Sequence, residues 1–263
     1  MPCARSPHEK LSRRRPAAAG ALVVAAAIAL ATSAAAAPPP PDPRAPGLGG
    51  AQRLQALVDR VKLEQQGLRT LQARFVQHRE SSLLVKPEES AGEFSYAAPN
   101  RVRWEYASPN PITVVIDGNE MTTWYRDLGR ADRLKVGRYS NQIFKYLGAG
   151  GSMQTLLDYF TVTLVMPDKD KKSDTYRLEL TPRYARIAKR LKSMTLWIDP
   201  QRFFPTRVRY VEGDGDVTEY EFKDIQVNPQ LPGDRFVLKL PAGVETRVID
   251  LDRDAKAKPG SGS

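Results

Sequence analysis

The sequence predicts a mainly β (α+β) protein built on one strongly curled antiparallel sheet with short helices over a wide enclosed space. Three observations lead there. From Leu68 onward apolar residues recur with a period of two in run after run, separated by short turns rather than helix-length crossovers, so the strands form a meander. About ten such runs in one sheet must curl strongly. Large aromatics sit on nearly every run, which predicts an enclosed space wider than a sheet with one helical layer needs.

Taken in order, the chain of 263 residues opens with Arg5, Lys10 and Arg13-Arg14-Arg15, then the apolar stretch Ala17 to Ala31, then small residues to Ala37. Those are the three regions of a secretory signal peptide, 1–37, too short and Ala-rich for a good membrane span. Arg13-Arg14 hints at a twin-arginine signal, but Pro16 fits poorly, and ordinary Sec export with cleavage near Ala34 to Ala37 is the reading. Removing the segment takes away five basic residues and one acid and lowers the formal charge from +10 to about +6. The surplus is scattered among acids, without the basic stripe that nucleic acid requires. Cys3 is the sole cysteine and His78 the sole histidine after position 37. A chain so composed has no disulfide, no thiol nucleophile and a poor basis for a zinc site or a nucleophile–His triad; no cofactor or metal is expected.

Residues 38–50 are Pro/Gly-rich and read as a flexible leader. In Gln52–Gln66, Leu54, Leu57, Val58, Val61 and Leu63 predict one apolar helical face, stopped by Gly67. Strands follow at Leu71–His78, Glu93–Ala97, Arg101–Tyr106, Ile112–Ile116 and Met121–Tyr125, the last two joined by the Asp117-Gly118 turn. "NQIFKYL" (141–147) and "SMQTLLDYF" (152–160) read as short helices flanking a Gly148–Gly151 hinge. Strands resume at Thr161–Val165, Thr175–Thr181, Leu191–Ile198, Pro205–Tyr210, Val217–Ile225 and Phe236–Leu238. The single domain spans 51–250, and 251–263 is a polar tail expected to be disordered.

"GAGGS" lacks a following Lys-Ser/Thr and a preceding strand, so it is a hinge rather than a phosphate loop. Asp117 and Asp199 stand at turns, where aspartate has a backbone reason to be, and His78 is a strand-surface residue. The aromatics carry the functional signal. Each ring alone is accounted for by core packing; together they predict a ligand-binding wall of Phe75, Phe94, Tyr96, Val102, Trp104, Tyr106, Trp124, Trp197 and Tyr210. Phe144, Leu147, Leu156, Leu157 and Phe160 would line the covering helices.

Three phrases in the right order resemble the periplasmic outer-membrane lipoprotein carrier family, LolA. "GEFSYAAPNRVRWEYASPNPITVVIDGNEMTTWY" is similar to the family's Gly-x-aromatic, Arg-x-Arg-Trp-x-Tyr and Asp-Gly phrase through Gly92, Phe94, Pro99, Arg101, Arg103, Trp104, Tyr106, Pro109, Asp117, Gly118 and Tyr125. "LRTLQARFVQ" looks like its opening Phe-x-Gln strand at Phe75 and Gln77, and "DRFVLKLPAGVETR" like its closing phrase at Phe236, Pro241, Gly243, Val244 and Glu245. The resemblance covers about residues 52–249 and implies an incomplete barrel, closed by short helices over an apolar cavity that receives acyl chains, with no catalysed reaction. It also implies a periplasmic location and acylated lipoproteins as cargo. An inner-membrane lipoprotein-releasing ABC transporter would load the carrier, and an outer-membrane lipoprotein receptor would unload it. A monomer is expected. Some family members carry an arginine, linked with holding the lid closed, at the position of Ala98; the same latch is not implied here, and the outward phase of Arg101 and Arg103 argues against either replacing it. The extra C-terminal strand of the family is not expected here. The rival readings are a related periplasmic half-barrel sensor that binds lipid signals and regulates envelope stress, and a carrier of another lipid; sensors of that kind usually carry a second domain, with no room for it after Asp250.

Overall fold

The computed structural model describes residues 38–135, 153–168 and 174–250. Helix α1 is Gly50–Gln66, followed by β1 (Thr70–Glu80), β2 (Glu88–Ala97), β3 (Arg101–Ser108), β4 (Ile112–Asp117), β5 (Glu120–Tyr125) and β6 (Arg130–Lys135). Then come α2 (Met153–Tyr159), β7 (Phe160–Val165), β8 (Tyr176–Pro182), α3 (Ala185–Ala188), β9 (Leu191–Ile198), β10 (Pro205–Glu212), β11 (Val217–Val227) and β12 (Glu245–Asp250). All twelve strands belong to one sheet, ordered β12-β6-β5-β4-β3-β2-β1-β11-β10-β9-β8-β7. Its two ends, β7 and β12, do not pair, so the sheet is not closed into a barrel.

The predicted meander is thus present as two halves, β1–β6 and β7–β11, joined where β1 runs antiparallel to β11. Asn228 secures that junction. Its positive φ of 55° turns the chain out of β11, and its amide reaches back across it. Oδ1 accepts the N–H groups of Arg69 and Thr70 at 2.7 and 3.2 Å, and Nδ2 donates to the Gly67 carbonyl at 3.0 Å. Asparagine tolerates this left-handed conformation better than other non-glycine residues.

Helix α1 starts two residues before the predicted Gln52 because the Gln52 side chain caps it, its Oε1 accepting the Gly49 N–H at 2.8 Å. Ala56, Leu57, Val58 and Val61 face the core, whereas Leu63 falls off the stripe and is 40% exposed. Helix α2 packs on α1 and β7. Together they bury Leu57, Val61, Met153, Leu156 and Phe160 against Tyr176, Leu178, Leu196 and Ile198 of β8 and β9, the core of the second half.

Several expectations need correction. Strand β6, "RADRLK", was not expected: it lacks apolar alternation and is held by ladder bonds between β5 and β12. Phe236–Leu238 is a turn followed by irregular chain rather than a strand. The closing phrase instead feeds β12, the C-terminal strand that was not expected, which pairs in parallel with β6 while every other described pairing is antiparallel. The leader is tied down at its middle. The Tyr176 hydroxyl donates to Asp42 at 3.3 Å, Arg44 lies 5.8 Å from the Tyr176 ring, and Arg53 donates to the Pro43 carbonyl at 2.8 Å. The signal segment 1–37, the helix 141–147 with Phe144 and Leu147, the Gly148–Gly151 hinge and the tail 251–263 lie outside the described residues.

Gly92 marks the tightest point of the first half. A Cβ there would stand 1.9 Å from the Glu105 carbonyl oxygen and 3.0 Å from the Phe75 ring, at the register shift between β2 and β3. Gly92→Ala is therefore expected to lower stability by about 3 kcal/mol through overpacking against backbone, seen as a lower urea midpoint with an unchanged slope.

Candidate functional site

Register decides which side chains meet. Across β1–β5 the cross-strand partners Phe75↔Phe222, Ala73↔Phe94, Leu71↔Tyr96, Phe94↔Trp104, Tyr96↔Val102, Trp104↔Val114 and Ile116↔Met121 share one face of the sheet. The same face continues the other way through Tyr220↔Val208, Thr218↔Tyr210, Val208↔Leu196 and Leu196↔Leu178. One inner face therefore runs across the whole sheet. The helices cover its β7–β10 part, and aromatic rings dominate the rest.

Those rings touch. Trp104 stands 4.6 Å from Phe94, 5.7 Å from Tyr220, 5.9 Å from Phe75 and 6.5 Å from Phe222, centroid to centroid. Tyr106 meets Phe75 edge-on at 5.0 Å, and Tyr220 stacks between Tyr210 and Phe222. Such contacts add about 0.5–1.5 kcal/mol per pair beyond area burial. A short polar ladder crosses the cluster: the Tyr106 and Tyr220 hydroxyls are 3.3 Å apart. Burial pushes the Tyr106, Tyr210 and Tyr220 hydroxyls above their ordinary pKa, Tyr220 furthest, because it is also flanked by the other two. All three stay neutral, so within the ring cluster these hydroxyls contribute dipoles rather than charge. Trp104 is 8% exposed, and its Nε1 is buried with no hydrogen-bond partner among the described residues.

Of the expected wall, Phe75, Phe94, Tyr96, Val102, Trp104 and Tyr106 come together in this cluster. Leu156, Leu157, Phe160 and Tyr210 belong to the helix-covered core beside it. Trp124 and Trp197 do not join them. Trp124 pairs with Thr113 on the outer face under the Arg126 guanidinium, 5.0 Å away, and Trp197 pairs with outward Arg207, 4.4 Å away. Residue type suggests the wall for both rings, and strand phase puts them on the other side. Tyr220, Phe222 and Met121 were missed, although Thr218-x-Tyr220-x-Phe222 alternates with Glu219 and Glu221 as clearly as any run in the chain.

Ala98 is partly buried against the aromatic cluster. Arg101 and Arg103 face the other way, the first 5.2 Å from the Phe236 ring, the second 2.6 Å from Glu105. The outer face they occupy is itself covered. Ser95, Ala97, Thr113, Val115 and Ala131 are buried there, and Arg235 reaches onto it, donating to Ser95 at 3.0 Å and pairing with Glu105 at 2.7 Å and Glu93 at 3.2 Å. Glu105 is the hub, contacting Arg103, Arg126 and Arg235. Burial opposes its ionisation, but the Arg103 hydrogen bond and the charges of Arg103, Arg235 and Arg126 outweigh it and hold the carboxyl below its ordinary 4.5. Among the other carboxylates, Asp199 serves its turn, accepting the Gln201 and Arg202 N–H groups at 2.8 Å each. His78 pairs with Glu89 on the strand surface.

A carboxyl with a depressed folded pKa stabilises the fold above its unfolded value and loses that contribution as pH falls through the folded one. Thermal melts at about pH 6 and about pH 3 are expected to show a smaller acid-induced drop for Glu105→Gln than for the parent chain. Arg235→Ala is expected to expose residues 229–244 to limited proteolysis while leaving the sheet protected.

The model of the family described as "Outer membrane lipoprotein carrier protein LolA" matches residues 66–239, from the end of α1 past the end of β11. The outer-membrane lipoprotein carrier protein of Alkalilimnicola ehrlichii is 27% identical over 180 residues, covering 67% of this chain and 76% of that one. Its counterpart from Halorhodospira halophila is 24% identical over 207 residues, covering 77% and 88%. Among solved structures, an uncharacterized conserved protein from Thermus thermophilus superposes with a TM-score of 0.50 at 13% identity, over 74% of this chain and 99% of that one; the likeness is one of fold.

Proposed function

Because the chain belongs to the LolA family of outer membrane lipoprotein carrier proteins, we propose that it is a periplasmic carrier that takes up the acyl chains of lipoproteins released from the inner membrane and hands them to the outer membrane. The continuous inner face is the observation that carries this reading: an aromatic ring cluster on β1–β4 and β11, with the face covered by helices over its other half. Its loading partner is an inner-membrane lipoprotein-releasing ABC transporter, and its unloading partner an outer-membrane receptor.

The energetics fit such a device. Withdrawing an acyl chain of about 16 carbons from water is worth roughly 0.8 kcal/mol per methylene, on the order of 10 kcal/mol per chain. A multiply acylated protein cannot leave a membrane for water at a useful rate without an apolar host. That host must also let go. Rings that pack on one another in the unloaded protein recover their own contacts when cargo departs, which lowers the net affinity without making the face polar. Asp199 and Glu105 are committed, the first to its turn and the second to the ion network of the outer face.

Trp104→Ala removes the centre of the ring cluster, and Trp124→Ala removes an indole of equal size from the outer face. Release of a triacylated lipoprotein from spheroplasts into a soluble complex is expected to fall at least about ten-fold for Trp104→Ala, in line with loss of a buried aromatic side chain, and to stay near the parent level for Trp124→Ala. Equal behaviour of the two variants would contradict the inner face as the cargo site. Recovery of the protein from its native periplasm with sugars or soluble peptides alone, and no lipid or lipoprotein, would contradict the carrier reading itself.

A further inference from the structure

We propose that Trp104 Nε1 is a fixed hydrogen-bond donor for the uncharged carbonyl oxygen at the root of an incoming acyl chain, so that the inner face contains an ester-recognising subsite within an apolar wall. The inference rests on the carrier reading and specifies one point of contact within it.

An indole N–H donates and cannot accept, and a buried donor of this kind nearly always finds an acceptor. Trp104 has none among the described residues, although the side chain is more than nine-tenths buried. Its neighbours explain why. Phe75, Phe94 and Phe222 offer no acceptor, and the Tyr106 and Tyr220 hydroxyls, 3.3 Å apart, make no hydrogen bond to it. Trp124 Nε1 is also buried without a partner among the described residues, but on the outer face, away from the ring cluster. On the inner face an orphan donor lies where acyl chains are expected to pass. The ester carbonyl is the one strong acceptor that travels with such a chain, and it too loses its water on entry. Pairing it with Trp104 satisfies both groups at once. It also sets how deep a chain can slide, since the methylenes lie beyond the carbonyl and the glyceryl end remains outside. A carboxylate would bring an uncompensated charge to the same place, so the subsite favours esters and amides over free fatty acids.

The test uses the purified protein loaded with N-phenyl-1-naphthylamine as a fluorescent apolar probe. Displacement by 1,2-dipalmitoylglycerol is compared with displacement by its diether analogue, which has the same chains and no carbonyls. The parent protein and Trp124→Phe are expected to prefer the diester about ten-fold, as one hydrogen bond of about 1.4 kcal/mol requires. Trp104→Phe, which keeps a ring and loses the N–H, is expected to bind both lipids equally. The Trp104 indole resonance of the 15N-labelled parent should shift downfield with the diester and not with the diether. Equal displacement by both lipids in the parent, or a preference retained by Trp104→Phe, would overturn the subsite and leave the carrier reading standing. Failure of both lipids to displace the probe would overturn the subsite and the carrier reading together.

Discussion

The pairing of β1 with β11 is the contact on which the rest of the molecule depends. Without it the chain is two unrelated ribbons, one rich in aromatics and one capped by helices. With it, Phe75 stands opposite Phe222 and Gln77 opposite Tyr220, and the alternation of one half is put in phase with that of the other. A slip of a single residue would turn every ring of β1–β5 to the side where Ser95, Thr113 and Ala131 now lie. Asn228 guards against that slip by fixing Gly67, Arg69 and Thr70 with one side chain.

Strand β3 shows how the two faces divide their work. Val102, Trp104 and Tyr106 meet the inner rings, while Arg103 and Glu105 hold the chain that crosses behind them. Arg103 donates to the Arg235 carbonyl at 3.3 Å, and Arg101 lies over Phe236. The segment that follows β11 is thus fastened to the back of the aromatic strands before it continues into β12. The inner wall gains rigidity from a polar layer that never touches it, and its rings keep their positions while remaining free of charge.

Most of this was legible in the sequence because a period of two states directly which residues share a face. The alternation of Val102, Trp104 and Tyr106 against Arg101, Arg103 and Glu105 survives intact in the structure. What alternation cannot carry is pairing from outside the run. Strand β6 puts Arg130 and Asp132 on the inner side, where they bond to each other at 3.4 Å, so its pattern looks like a loop. Strand β12 exists through its parallel partner rather than its own residues. The outer cover of Arg235 and Phe236 was hidden for the same reason, although small buried residues at Ser95 and Ala97 recorded it faintly. Trp124 and Trp197 are misplaced wherever residue type is allowed to outrank phase.

The absence of a β7–β12 ladder has a mechanical meaning. In a closed barrel, strand number and shear fix the bore, and widening it breaks hydrogen bonds. Here each strand can change its twist against the next by a few degrees, within the spread that sheets ordinarily show, and these increments accumulate from one end of the sheet to the other. The sheet can thus behave as a leaf spring, changing its curvature with every backbone bond intact. Such compliance is a property of the whole sheet rather than of one residue, and under the carrier reading proposed above it suits a host for bulky guests.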